Sequence, residues 1–395
     1  MRFIGIDIGS EKHFYAVLDA DGQVVSKSTA FMEDDVGYAM LLTALGAPAD
    51  ALVALEATGH YWQNLFAVLA GAGFALALLN PLRTARFAGE DLRRTKTDAL
   101  DALGIARFAQ QKRPRATPIS DEATLELREL VRHRDRLVQE LGDHVRQLHR
   151  LVDLGFPELT RFVKDLSSAL ATTVLRKCPT ARAFGDVTEG ELANTRYDGR
   201  RAIGRELAGK LIAAAKRSVG QHHGAAYRLQ VEHACEDIES LKRRIEYVEH
   251  QTGAALKNHE VGQLLTTIDG IGDTTAAKLV AELGDITRFD SGDALAAYVG
   301  VVPGVKHSGK HMPKSQPLCS IGHAELRAKL YMPTIAATKH NPWLKRFYQR
   351  LRAAGKPAKV AILAAMRKLL HAIYSVAKNR RPFTPILPSN AQATT

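Results

Sequence analysis

Short apolar runs bounded by turn residues mark out the first eighty residues. Phe3, Ile4 and Ile6 make a short run of buried-strand type that ends at Asp7. A second β-rich run covers residues 14–18 and closes at Asp21-Gly22, a hairpin signal, and residues 23–29 continue the meander. Residues 36–45 then read as a helix, 51–55 as a strand ending at Glu56, 59–69 as a helix and 74–79 as a strand stopped by Asn80-Pro81. This order, βββ-α-β-α-β-α, predicts antiparallel strands first and parallel strands afterwards.

Further along, the period lengthens to that of helices. Thr97 is placed to cap a helix whose first turn carries Asp98 and Asp101, three apart and so on one face. Residues 121–153 carry Leu127, Leu130, Leu137, Leu141, Leu148 and Leu151, a heptad pattern interrupted by Arg134 and His144. A second helix repeats Val231, Ala234, Ile238, Leu241, Ile245 and Val248 in 3-4 alternation. The pair predicts an antiparallel or intermolecular coiled coil and a dimerisation stalk; the alternative is a pair of core helices. Residues 155–227 between them read as a helical insertion, in which His222-His223 lacks metal-binding company at useful spacing. From Leu265 the pattern predicts two helices joined by Gly270-Ile271-Gly272, the signature of a helix-hairpin-helix whose turn amides hold a phosphate. The competing reading is that the glycines only permit close helix packing. Helices over 325–338, 343–353 and 359–377 follow, then a Pro-, Ser- and Thr-rich tail expected to be disordered. The expected division is 1–120, 121–255 with the insertion 155–227, 256–381, and the tail 382–395.

Charge sharpens this division. Residues 1–60 hold three Lys/Arg against nine Asp/Glu, whereas residues 301–395 hold seventeen Lys/Arg and one acid, Glu325. An acidic head suits cations and a basic tail suits a polyanion. Three scattered cysteines make neither a disulfide framework nor a zinc pattern, as a reducing cytoplasm would favour. The most apolar window, residues 65–79, is shorter than the roughly 20 residues a membrane helix needs and is split by Gly71 and Gly73. No signal peptide and no membrane partner are expected.

The candidate chemistry lies in acids set in apolar surroundings: Asp7 and Glu56 at strand ends, Asp98 and Asp101 at a helix start. A carboxylate beside an apolar core costs free energy unless a cation or hydrogen bonds compensate. An all-oxygen set favours Mg²⁺ or Mn²⁺, and two such ions polarise a phosphodiester from both sides. Arg83, Arg86, Arg93, Arg94 and Lys96 lie between these acids in sequence and are expected to form a phosphate-contacting loop; a merely solvated loop is the alternative. Taken alone, the head of the chain reads as a nuclease.

The segments GIDIGSEKH, LEATGHYW, NPLRTARFAGE with KTDALDA, TIDGIGDTTAAKLVAELGDITRF, AAYVGVVPG, HSGK and LRAKLYMP, in this order, resemble the DEDD-type insertion-sequence transposases. The resemblance implies an α/β fold of ribonuclease H or RuvC type at the N-terminus, long coiled-coil helices, and a mainly α C-terminal transposase domain. It implies that Asp7, Glu56, Asp98 and Asp101 are metal ligands and that Ser308 is a nucleophile, with Lys306 and Lys310 stabilising phosphate charge. His307 and His311 are sequence neighbours, but activation of the serine is expected from the metal site in trans. It also implies donor and target DNA as partners, a structured bridge RNA as guide, homodimers meeting as a tetramer, and a bacterial cytoplasmic location at the nucleoid. Two rivals remain: a structure-specific nuclease that uses water as nucleophile, and a non-catalytic nucleic-acid-binding protein.

Overall fold

The computed structural model of the chain describes residues 1–90, 97–302 and 321–385. It divides into two compact units, Met1–Ile119 and Ser120–Thr395.

The first unit is a mixed α/β layer. Its elements run β1 (Arg2–Asp7), β2 (Lys12–Leu18), β3 (Val24–Met32), α1 (Asp35–Leu45), β4 (Ala51–Glu56), α2 (Trp62–Gly71), β5 (Ala75–Leu79), α3 (Pro81–Glu90) and α4 (Asp98–Lys112). The sheet order is β3-β2-β1-β4-β5; the first three strands pair antiparallel, and β1-β4 and β4-β5 pair parallel. The predicted topology is therefore present, and it agrees with a ribonuclease H-like domain. Strand alternation separates two cores. Ile4, Ile6, Val53 and Leu55 face one side with Leu41, Leu65 and Leu69, while Phe3, Leu52 and Ala54 face α4 with Ile105, Ala106 and Phe108.

One expectation is corrected here. Residues 83–90, read as loop, continue the helix α3. Pro81 suits the first turn, Asn80 Oδ1 accepts from Leu82 N at 2.9 Å, and Phe87 stacks edge-on against Phe108 of α4 at 5.4 Å. A small footing, Phe87 against α4 with Thr84 buried near it in sequence, is enough once α4 supplies the surface, which no period count over a basic stretch reveals.

The second unit is helical: α5 (Glu122–Gly155), α6 (Leu159–Phe162), α7 (Ala169–Lys177), α8 (Glu189–Ala193), α9 (Arg205–Ala215), α10 (Ala225–Lys257), α11 (Glu260–Thr266), α12 (Asp273–Leu283), α13 (Gly292–Val299), α14 (Ala324–Lys329), α15 (Tyr331–His340), α16 (Pro342–Ala353) and α17 (Ala358–Asn379). The two long helices pack on each other within the chain. Arg134 of α5 bonds Glu249 of α10 at 2.7 Å, and His144 lies 3.4 Å from Asp237, so ascending numbers meet descending ones and the pair is antiparallel. The residues that interrupt the heptads thus pair across the seam. Leu137, Leu241, Ile245 and Val248 fill it. At one end of the pair, residues 156–215 pack with Leu148, Leu151, Val231 and Ile238 of the long helices into a core around Phe156, Leu175 and Phe184; at the other, α11 to α17 enclose a second core. The helix α17 is long and apolar enough by composition to cross a bilayer, but Ala365, Met366, Leu369, Leu370 and Ile373 are buried in that second core.

Candidate active site

The strand register sets the position of the first two acids. In the β1-β4 pair Ile6 lies beside Leu55, so Asp7 and Glu56 are the next neighbours at the carboxyl ends of adjacent parallel strands. Strands in such a pair run about 4.8 Å apart. Asp7 is in phase with Phe3, and Glu56 with Leu52 and Ala54, so both project to the side that α4 covers.

The direction of α4 brings the other two acids to the same edge. Its backbone lies directly on Gly5, where a Cβ would stand 2.2 Å from Ala106 N and 2.3 Å from Ala102 O. Its far end reaches the β2-β3 turn, where Gln110 Nε2 donates to Ala20 O at 3.0 Å. That turn adjoins Leu18, which pairs with Phe3 near the start of β1. The helix therefore runs opposite to β1, and its first turn, with Asp98 and Asp101, lies at the edge where Asp7 and Glu56 end. Asp98 and Asp101 also extend the buried stripe Ala102, Ile105, Ala106 and Ala109 by one turn. Thr97 caps the helix through Leu100 N at 3.3 Å, as its position predicts.

The four acids thus share a sheet face and a sheet edge. Asp7, Glu56 and Asp101 are partly buried and Asp98 is exposed. Their oxygen-only donor set fits a hard divalent cation in type. The convergence expected from the sequence holds for the backbone but not for the side-chain tips: among the described residues, no three His, Cys, Asp or Glu side chains come close enough to hold one ion.

The basic candidates divide. Arg83 and Arg86 are on α3, and the Arg83 guanidinium lies 5.4 Å over the Phe108 ring. Arg93, Arg94 and Lys96 lie outside the described residues, as do Lys306, Ser308 and Lys310 with His307 and His311. Gly300 and Gly322 meet so closely that a Cβ on Gly322 would lie 2.5 Å from Gly300 Cα. Arg327 Nη1 donates to Val299 O at 3.2 Å, and His323 N donates to Tyr298 O at 2.9 Å.

Between α11 and α12, Gly270 has φ +99°, a left-handed value that favours glycine. A Cβ there would stand 2.6–2.7 Å from Ala337 of α15. The position is thus filled by a neighbouring helix, which is the packing reading of this glycine. Gly272 instead begins α12 exposed, with nothing within 4 Å of its missing Cβ.

Sequence reasoning missed two sets of residues. Lys278, on α12, is 7% exposed and bonds Asp135 of α5 and, at 3.0 Å, Glu325 in the first turn of α14. A lysine between Ala277 and Leu279 in an apolar run was the available signal. On α16, Leu344 is buried, while Lys345, Arg346, Arg350 and Arg352 are exposed. Among the described residues none of these four has a carboxylate partner within 4.0 Å, although Arg367 and Arg380 on α17 and beyond it do.

Comparison with known proteins gives two matches in order. Residues 4–157 match the DEDD transposase of IS110 type, and residues 262–349 match the transposase of the IS116/IS110/IS902 family. The chain is 26% identical over 330 residues to the pilin gene-inverting protein of Moraxella bovis, covering 83% of this chain and 80% of that one. It is 25% identical to the 44.8 kDa protein of insertion element IS116 from Streptomyces clavuligerus, over 98% of this chain and 97% of that one. To the mini-circle putative transposase for IS117 from Streptomyces coelicolor it is 25% identical, over 98% of both chains. Residues 4–157 and 262–349 are accordingly similar, in the same order, to the DEDD transposase domain and the C-terminal transposase domain of IS110/IS116 type.

Proposed function

We propose that this chain is an insertion-sequence transposase that cuts and rejoins DNA strands through a serine–DNA link. The observation that carries the reading is the placement of Asp7, Glu56, Asp98 and Asp101 on one face and one edge of the sheet, in a domain of DEDD transposase type. These four residues would hold Mg²⁺ or Mn²⁺, which when bound polarises the scissile phosphodiester.

Ser308 is the proposed nucleophile, supported by its place between the AAYVGVVPG segment and α14 inside the second family match. Its Oγ forms a bond to phosphorus and releases its proton; the phosphorus–oxygen bond to one deoxyribose breaks, and that oxygen takes up a proton. The reverse reaction with a different deoxyribose hydroxyl joins the exchanged strands, so the phosphodiester energy is retained in the link. Lys306 and Lys310 are assigned to the charge that grows on the phosphate. The exposed cations of α16 support a DNA-binding role. The family resemblance further supports a bridge RNA as guide, and dimers that join as a tetramer with carboxylates and serine from different subunits.

A denaturing gel with Mg²⁺, labelled element-junction and target DNA, and RNA transcribed from the flanking non-coding DNA tests this. Wild type should give a denaturant-resistant protein–DNA band that disappears in Ser308→Ala and in Asp98→Ala. Cut DNA without any such band, unchanged in Ser308→Ala, would replace the proposal by a nuclease using water.

A further inference from the structure

We infer that Glu33, His13 and Asn64 form a positioning network that fixes the separation of Asp7 and Glu56. This rests on the reading that those two carboxylates serve one metal-dependent site. His13 lies on β2, fully buried on the sheet face opposite Asp7, with the Phe31 ring 5.0 Å away. Its Nδ1 accepts from Gly9 N at 3.2 Å. An amide hydrogen aimed at Nδ1 requires that nitrogen to be bare, so the ring proton is on Nε2, which stands 2.5 Å from Glu33 Oε2. The other oxygen of Glu33 accepts from Asn64 Nδ2 at 3.2 Å.

The connectivity gives the network its meaning. Gly9 is two residues beyond Asp7, in the turn that leaves β1; Asn64 is in the opening turn of α2, which receives the chain after Glu56. Both segments that follow the strand-end acids are therefore tied to a single carboxylate. A buried imidazole and a carboxylate are expensive to desolvate and add little net stability over an apolar pair, whereas short charge-assisted bonds define geometry well. Partners of this kind behind a metal site change affinity by roughly 10–100-fold when removed.

The test uses the full chain, Mn²⁺ binding followed by electron paramagnetic resonance, and ¹⁵N NMR of the histidines. Wild type should bind Mn²⁺ and Asp7→Ala should not. Glu33→Gln and Asn64→Ala should each weaken binding by about tenfold, with the thermal midpoint of Asn64→Ala unchanged because Asn64 is exposed. The His13 Nε2–H signal should be shifted strongly downfield in wild type and lose that shift in Glu33→Gln. Asn64→Gln, which keeps the amide, should restore part of the affinity. Should wild type fail to bind Mn²⁺, or bind it no better than Asp7→Ala, the metal reading itself falls. Asp7-dependent binding that Glu33→Gln and Asn64→Ala leave unchanged would overturn the network alone.

Discussion

Gly300 and Gly322 press against each other, with Gly322 at φ +140° and Gly300 at φ +81°. The described chain leaves this point at Val302 and returns to it at Ile321. A side chain on either residue is crowded: on Gly300 a Cβ would meet the Arg327 side chain at 2.3 Å and the backbone Ile321 O at 2.9 Å. Gly322→Ala combines a positive φ with a backbone clash, so it should destabilise the C-terminal unit by roughly 1–3 kcal/mol. Chemical denaturation of the variant measures this. If Ser308 is the nucleophile, formation of the covalent DNA adduct should fall further than the loss of folded protein explains.

A contrast of two glycines tests how α4 is seated. Gly5→Ala drives a methyl into the α4 backbone and should lower stability by about 3 kcal/mol or prevent folding. Gly104 lies within α4 with nothing within 4 Å of its missing Cβ. Gly104→Ala should therefore raise stability, by roughly 0.5–1 kcal/mol. Equal losses in both variants by thermal unfolding would contradict the helix placement.

Lys278 joins α5, α12 and the start of α14. Burial disfavours its charge, but hydrogen bonds from Lys278 to Asp135 and Glu325 outweigh that and raise its pKa above the ordinary lysine value. A raised pKa means the pairing stabilises the fold fully at neutral pH and is lost as pH climbs through the folded-state value. Lys278→Ala leaves Asp135 to the more distant cations of Arg134 and Lys329, at 3.6 and 3.7 Å, and should cost roughly 1–3 kcal/mol at pH 7. The gap between wild type and variant should shrink on the alkaline side. Thermal unfolding across pH 7 to 11 would show it, and a gap that grows with pH would refute the assignment.

The exposed face of α16 makes a prediction in salt. Arg346 and Arg350 are one turn apart with like charge, an arrangement that costs a few tenths of a kcal/mol until an anion screens it. For each cation that contacts a phosphate, substitution by alanine should lower the slope of log K against log salt by about one. Fluorescence anisotropy with a scrambled duplex from 50 to 300 mM salt is the measurement. Slopes equal to wild type in Arg346→Ala and Arg350→Ala would remove this face from the DNA-binding surface.

Much of the first unit was legible because its central strands are short apolar runs bounded by turn residues, the mark of strands buried on both faces. Those runs also end at Asp7 and Glu56, which picked out the two acids. The helix α3 was not legible, since its hold on α4 comes through Phe87 and Arg83 meeting the Phe108 ring. Gly270 carried the pattern of a phosphate-binding turn, yet the space beside it belongs to Ala337, sixty-seven residues further on. His13 was hidden for a similar reason: a histidine in an alternating strand gives no sign of a carboxylate twenty residues away. What alternation and capping specify locally was readable, and what depends on a distant surface was not.

The antiparallel pair α5 and α10 has a consequence for how the second unit comes apart. Helices of 34 and 33 residues run roughly 50 Å. Among the described residues, the cores at the two ends are linked along them mainly by Leu137, Leu241, Ile245 and Val248. So narrow an apolar bridge transmits little cooperativity. The core around Phe156 and Phe184 should open and close as its own thermodynamic unit, exchanging its amide hydrogens at a free energy set by its own packing while the core around α12 and α17 stays shut. Evolutionary change within residues 156–215 would then be paid for locally, leaving the C-terminal transposase domain free to keep its structure.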